Sequence, residues 1–414
     1  MPAAPVMDVD FVRSQFPGLN NGWSFFDNAG GTQILSGVVD RMNDFLFNAN
    51  VQTGGSYALS QKAARSLQEG REAMRLLTNA ERAEEIVFAP SATVALQNLA
   101  RSMRSQFAPG DEVVVTVSDH ESNIGPWAGL EELGIHVRRW PLNKETLQLE
   151  LDELSALMNE RTKLVAVTHV SNILGTINPI REIADVVHER GAKICVDSVA
   201  FAPHRALDVR AMDVDFLVFA LYKVYGPHYA VMYGRHDLLL ELDNLYHYFY
   251  PMDKVPAKLE PGNASYEMAY SSLGIVDYLQ ELGRRAGSEG SPRECIEQAF
   301  AAITDHENQI GERLLAYLRQ REDCRIVGHE RGDHESRVPT ISFKIEGMDS
   351  GEIARRIDDY GLAIRFGDFH ARRLIEYLNL EADGGVVRVS MAHYNTLVEV
   401  DALIAALDEV LPRP

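Results

Sequence analysis

Cysteine is almost missing from this 414-residue chain, which holds only Cys195, Cys295 and Cys324. Three scattered thiols cannot build a disulfide framework, and no two stand at the short spacing of a zinc knuckle, so the pattern fits a reducing compartment and no metal site. Long hydrophobic runs are missing too. No stretch approaches the roughly 18 apolar residues of a membrane span. Met1 to Asp10 has neither the basic start nor the apolar run of a secretory signal. The expectation is a cytoplasmic protein with no membrane partner. Positive charge is short: 40 Lys+Arg against 60 Asp+Glu leave a formal charge of −20, which argues against nucleic acid as a partner. A small anionic ligand stays open, because a helix N-terminus or a few local cations can bind one on an acidic protein. Internal repeats and low-complexity segments are absent.

With 46% hydrophobic and 24% charged residues the composition is globular, and the length calls for a large and a small domain. Short apolar runs alternate with helical patterns through the middle of the chain. Glu85–Ala89, Asp111–Val117, Ile135–Trp140, Lys163–His169, Ala192–Asp197, Asp215–Leu221 and Tyr229–Tyr233 read as strands; Thr93–Met103 and Ile180–Arg190 read as helices between them. Continuous apolar strands separated by helices give an α/β fold with a mostly parallel sheet, whose ligands sit at the carboxyl ends of the strands. Beyond about Pro251 the pattern becomes long helices (Tyr266–Leu282, Pro292–Gln320), then shorter alternating elements ending at Val386–Met391 and Val398–Leu411. The expected division is a large domain over 20–260 and a smaller α+β domain over 261–414, with residues 1–19 packed on the latter.

Chemistry-bearing residues follow the strands in order. Lys223 comes just after Asp215–Leu221. A buried ammonium is costly, and one way out is a depressed pKa that makes the amine a nucleophile toward an aldehyde cofactor; a snorkelling lysine is the ordinary alternative. Asp197 ends its strand and suits a helix cap, a metal ligand or the partner of a protonated ring nitrogen. Ser91, Ala92 and Thr93 open a helix, as a phosphate cradle or simply as a cap. His120 and Asn172 stand in loops after strands, where one could stack on a ring or move a proton and the other could donate to a phenolic oxygen. Arg388 lies inside an apolar strand and needs an anion, either a substrate carboxylate or a structural partner.

Phe26-Asp27-Asn28-Ala29-Gly30-Gly31, HVSNILGTINPI from His169 to Ile180, Val196-Asp197 with Ala202-Pro203-His204, Tyr222-Lys223-Val224-Tyr225-Gly226-Pro227, and Arg388-Val389-Ser390 with Tyr394-Asn395-Thr396 together resemble fold-type I pyridoxal phosphate (PLP) enzymes. The group is the class V aminotransferases, and the branch is that of cysteine desulfurases and selenocysteine lyases. The resemblance implies PLP as cofactor and Lys223 as the Schiff-base lysine and catalytic base. It places Asp197 on the pyridine nitrogen, His120 over the ring, Asn172 by the phenolic oxygen, and Ser91, Ala92 and Thr93 on the phosphate, helped by Tyr222. Arg388 falls on the substrate carboxylate, with Asn28 and Ala29 beside the substrate. It also implies a homodimer whose partner loop, here carrying Asn263, touches the phosphate.

The chain departs from that family at its reactive positions. Tyr222 precedes the lysine where the family has His, Ala220 stands for a Ser, and Ala200 stands for a Gln. In the loop Arg365 to Arg372, His370 stands where desulfurases carry the nucleophilic cysteine, and histidine cannot carry sulfur as a persulfide. The expectation is a PLP enzyme on an α-amino acid, with α-proton abstraction and β- or γ-elimination or replacement. His370, Asp368 and His120 are the candidate acids for the leaving group. Racemisation or epimerisation, and carbanion C–C bond formation, are the alternatives; persulfide desulfuration and a non-catalytic PLP-binding protein rank below them.

Overall fold

The computed structural model describes residues 7–412. Thirteen strands occur among them: β1 (Ser24–Phe25), β2 (Ile86–Ala89), β3 (Glu112–Thr116), β4 (His136–Trp140), β5 (Thr162–Thr168), β6 (Lys193–Asp197), β7 (Phe216–Ala220), β8 (Ala230–Gly234), β9 (Cys324–Val327), β10 (Thr340–Ile345), β11 (Leu362–Ala363), β12 (Arg365–Gly367) and β13 (Val386–Ser390). Seven of them form one sheet in the order β2-β8-β7-β6-β5-β3-β4. Only β8 runs against its neighbours, antiparallel to both β2 and β7; the other pairings are parallel. Of the runs seen in the sequence, β2, β3, β7 and β8 are buried throughout, whereas the edge strand β4 exposes His136 and Arg139. Reversal of β8 alone leaves the carboxyl ends of β2, β3, β5, β6 and β7 on one edge of the sheet.

A second sheet, β12-β13-β10-β9, is antiparallel. The two sheets have separate cores, but the helix Pro292–Leu318 contributes to both: Ile296 to Ile303 pack with the large sheet, Ile310 to Leu318 with the small one. A Ser291/Glu294 capping box with Pro292 at the first turn starts this helix. The segment from Met7 onward does not pack on the small sheet alone. Phe16 sits among Tyr225, Tyr278, His393 and Tyr394, while Arg13 donates to the Tyr394 carbonyl at 2.6 Å. Residues 1–6 lie outside the described residues.

Two helices, Ser36–Asn48 and Ala58–Thr78, carry no expectation from the sequence. The single helix expected over Tyr266–Leu282 is two, Tyr266–Ser271 and Leu273–Arg285. Ser271 and Ser272 explain the break, since their hydroxyls donate to the carbonyls of Met268 and Ala269, at 2.9 and 2.6 Å, and compete with the helical ladder. Among the described residues no helix is long and apolar enough to cross a membrane, and no group of three or more His, Cys, Asp or Glu could hold a metal.

Gly283 marks the tightest helix contact in the fold. A Cβ there would lie 1.8 Å from the Cys295 carbonyl oxygen, so the two long helices meet backbone to backbone. Gly283→Ala is expected to cost about 1–3 kcal/mol through overpacking, read as a lower urea midpoint at unchanged slope; an unchanged midpoint would contradict this packing.

Candidate active site

The shared edge of the large sheet holds a cleft of about 530 Å³, lined by Ser91, Ala92, Thr93, His120, Ser122, Thr168, Val170, Asn172, Asp197, Val199, Ala200 and Tyr222. Its floor is set by strand ends. Ser91 caps the helix Ala92–Ser102 that follows β2, its hydroxyl accepting from the Val94 N–H at 3.2 Å. Thr93 Oγ1 lies 2.7 Å from Ser122 Oγ, which ties this helix start to the loop after β3. Free N–H groups and two hydroxyls at a helix N-terminus make an anion cradle.

Asp197, the last residue of β6, is buried, and its Oδ1 accepts from Val199 N–H at 2.9 Å. Burial pushes its pKa up, and the Lys223 charge opposes that shift. A second buried carboxyl within electrostatic reach of it is Asp119, whose oxygens accept from Thr116 Oγ1 and, at 2.7 Å, from Asn123 Nδ2. Burial, with the nearby Asp197, raises Asp119 to about 8. Asp119 is therefore mostly protonated at pH 7, and burial moves Asp197 in the same direction.

Lys223 closes a short 3-10 turn after β7. The residue is buried, and among the described residues its amine takes part in no hydrogen bond or ion pair; the Tyr222 ring lies 6.0 Å away. Burial and then the charge of Arg388 lower it to about 8, so a fraction of the amine is unprotonated and nucleophilic at neutral pH. The backbone around it is held by Thr32, whose N–H and hydroxyl both donate to the Tyr222 carbonyl, at 3.1 and 3.2 Å. Tyr222 itself stacks on His228 at 4.9 Å.

Arg388, in β13, is 1% exposed. Nη2 donates to Asp27 Oδ1 at 3.1 Å and Nη1 to the Asn172 carbonyl at 3.2 Å. The Phe369 ring lies flat beneath the guanidinium at 3.7 Å. Desolvation brings the group down to about 10. Phe369 and His370 both have positive φ, +50° and +59°, an uncommon pair of left-handed non-glycine residues that costs energy and clusters at functional sites. The surrounding bonds hold this loop: Asn172 Nδ2 donates to the Phe369 carbonyl at 2.9 Å, and the Glu121 N–H donates to the His370 carbonyl at 2.8 Å. The rings of His370 and His120 then come within 5.4 Å between centroids, tilted by 53°. His120 Nδ1 accepts from Ser122 N–H at 3.1 Å, and burial followed by the Lys223 charge takes its pKa down to about 4.

Of the residues singled out in the sequence, Ser91, Ala92, Thr93, His120, Asn172, Asp197 and Tyr222 line one cleft, with Lys223 and Arg388 buried beside it. Asn28 and Ala29 lie in the turn after β1. Asn28 Nδ2 donates to the Phe25 and Ser390 carbonyls, at 2.8 and 3.0 Å, and its Oδ1 accepts from Tyr394 OH. Ala29 N–H donates to Ser390 Oγ at 2.8 Å, so this turn is fastened to β13. Asn172 departs from expectation: its Nδ2 is spent on Phe369, and Oδ1 is the buried atom left without a partner. Asn263 is exposed and lines a different cleft, with Phe88, Val94, His228 and Tyr229. Sequence reasoning missed Asp119, Asp27 and Phe369. The first two were visible as acids flanking singled-out motifs; Phe369 gave no signal.

The chain matches the aminotransferase class-V family model over residues 24–290 and 293–403, and it belongs to that family. It is 40% identical to the aminotransferase-like protein FGM3 of Gibberella zeae, over 97% of this chain and 98% of that one. It is 33% identical to the cysteine desulfurase-like protein ustD of Aspergillus flavus, over 100% and 92%. Among solved structures, the cysteine desulfurase CsdA of Escherichia coli superposes with a TM-score of 0.83 at 25% identity, covering 98% of each chain. The family is PLP-dependent, and this chain is a PLP-dependent class V aminotransferase-like enzyme.

The donor set fits that cofactor. A helix-end cradle for a phosphate, a buried carboxylate for a ring nitrogen and a buried amine without an ion-pair partner occur on one strand edge, and Asn172 Oδ1 is an orphaned buried polar atom at the cleft. The Asp119 proton has a consequence for stability. The folded chain keeps that proton up to about pH 8, whereas an unfolded aspartate releases it near its ordinary value of 3.8. Stability therefore falls as pH rises between those values. Asp119→Asn is expected to gain on the parent across that window and to hold the gain above pH 8, by urea unfolding at pH 5 and pH 8.5. Equal differences at both pH values would contradict the shift.

Proposed function

We propose that the protein works on an α-amino acid bearing a leaving group at its β or γ carbon, by elimination or replacement, as a cytoplasmic homodimer. PLP, when bound, supplies an electron sink for the α-carbanion. Lys223 Nζ holds the cofactor and then, once released by the substrate amine, takes the α-proton. Asp197 keeps the ring nitrogen protonated, with the mostly protonated Asp119 within electrostatic reach of it. Ser91, Ala92 and Thr93 take the phosphate, Tyr222 borders it, and the exposed Asn263 loop reaches the phosphate of the partner copy. His120 would cover the ring, and Arg388 would take the substrate carboxylate with Asn28 and Ala29 shaping the wall beside it; Asn172, its amide donor held by the Phe369 carbonyl, would border the ring without donating to the phenolic oxygen.

One observation carries the choice of reaction: the strained loop presents the His370 ring, and no thiol, opposite His120. Cys195 is buried within β6, Cys295 within the long helix, and Cys324 lies in β9, where burial raises its thiol to about 12. None of the three lines the cleft, which supports a reaction without persulfide. Of the three candidate acids, His120 is a neutral imidazole at pH 7. Asp368 is engaged by the His370 N–H at 3.1 Å and by Arg372 at 3.7 Å. His370, exposed and able to exchange its proton with water, is left to protonate the leaving group.

His370→Ala is expected to slow release of the leaving group by about 10²–10⁴-fold, the usual worth of a general acid, while wash-in of solvent deuterium at the α carbon continues. Release and deuterium exchange are both readable by proton NMR on a panel of amino acids with β- or γ-substituents. Unchanged release in the variant, or a panel without release or exchange, would contradict this reading.

A further inference from the structure

Arg388 and Arg365 are directly opposite residues of β13 and β12. Like charges in that position repel, and a single carboxylate lies between them. Asp27 Oδ1 accepts from Arg388 Nη2 at 3.1 Å, and its Oδ2 is 3.5 Å from Arg365 Nη1. Two guanidiniums thus share one anion. Arg365 has no other ion pair among the described residues, and more than half of its side chain is exposed.

The way Asp27 holds Arg388 is incomplete. A carboxylate that satisfies a guanidinium side-on takes Nε and Nη2 together, as Asp323 does with Arg321 in this same chain, at 3.0 and 2.8 Å. On Arg388, Asp27 takes Nη2 alone, and Nε is buried with no partner at all. An unpaired buried donor on a charged group is costly. One prong of a two-pronged carboxylate site is therefore unpaired among the described residues, with the Phe369 ring 3.7 Å from the guanidinium carbon.

We propose that Asp27 is an internal stand-in for the substrate carboxylate, holding Arg388 in the substrate-free enzyme and passing to Arg365 when substrate arrives. The substrate carboxylate takes Nε and Nη2 of Arg388; Asp27 leaves Nη2 and stays paired through Arg365, so neither the buried cation nor the displaced anion is left uncompensated. Arg365 acts through Asp27 and is a positioning residue. The proposal rests on the reading that Arg388 binds the substrate carboxylate, and it adds a cost to binding that selects for ligands able to fill both prongs.

The test uses the PLP-loaded enzyme and 2-aminoisobutyrate, an amino acid without an α-proton, with the dissociation constant read from the visible absorbance. Isopropylamine, which has the amine and no carboxylate, is the control for effects on Lys223. Asp27→Asn is expected to tighten 2-aminoisobutyrate by about tenfold, the worth of one charge-assisted hydrogen bond no longer broken, and to leave isopropylamine alone. Arg365→Gln is expected to weaken 2-aminoisobutyrate in the parent and to have no effect in the Asp27→Asn background. Equal losses from Arg365→Gln in both backgrounds would mean that Arg365 touches the ligand, and would overturn the hand-over. An Asp27→Asn change shared by isopropylamine would overturn it too. If Asp27→Asn fails to fold, Arg365→Lys against Arg365→Gln decides: the hand-over requires the lysine variant to bind nearly as the parent does, and equal losses in the two overturn it. Arg388→Gln separates the two readings. Binding that survives it sinks Arg388 as the carboxylate site, whereas binding lost there but insensitive to Asp27 and Arg365 sinks the hand-over alone.

Discussion

Two cations, Lys223 and Arg388, are buried beside one cleft, and their removal from water is the constraint that the groups around them answer. Desolvation, and then the Arg388 charge, push Lys223 down to about 8; desolvation, and then the Arg365 charge, bring Arg388 down to about 10. A lysine surrenders its proton under that pressure and an arginine does not, so the pair resolves into a reactive amine and a permanent positive charge. The anions are distributed to match. Asp27 lies on the arginine. Asp197 is the acid whose charge favours the protonated lysine, and Asp119 takes up a proton so that two buried carboxylates are not charged together. The site thus brings together an amine of lowered pKa, a fixed cation and two buried carboxyls of raised pKa.

The architecture supplies that arrangement through β8. With only that strand reversed, β2, β3, β5, β6 and β7 all end on one edge, and residues 132 positions apart, Ser91 and Lys223, meet around one cleft. The small antiparallel sheet brings Arg388 in from the other side. Its side chain enters between Asp27, after β1, and Phe369, on the strained loop after β12. A loop held in the left-handed region at two consecutive side-chain-bearing residues is where the fold stores cost, and it is also the loop that sets the His370 ring near His120.

The sheet was legible in the sequence because its strands are continuous apolar runs with a chemical residue at each end, and the order of those residues identified the family. Asp197, Lys223 and the Ser91–Thr93 helix start were visible for that reason. Local patterns could not show what depends on contacts between distant segments. Asp27 sits one residue from a recognised turn, yet its bond to Arg388 spans most of the chain. The raised pKa of Asp119 follows from its burial and from the nearby Asp197, which lies far away in sequence. The amphipathic helices Ser36–Asn48 and Ala58–Thr78 lie in a region where loop and helix residues are interleaved, and the Ser271-Ser272 break is invisible to apolar periodicity because both flanking helices keep their buried faces. The direction of the Asn172 amide is decided by the Phe369 carbonyl, a backbone atom that no side-chain pattern announces.

The account stands or falls on Lys223 being the one amine in the chain that holds PLP. The direct measurement is to load the protein with PLP near pH 8, trap the covalent link with borohydride, and locate the pyridoxyl group by peptide mass spectrometry. The account predicts one group per chain, on Lys223, with the yield rising from pH 6 to pH 8 as the amine loses its proton. A label spread over exposed lysines, or no label at all, would contradict it.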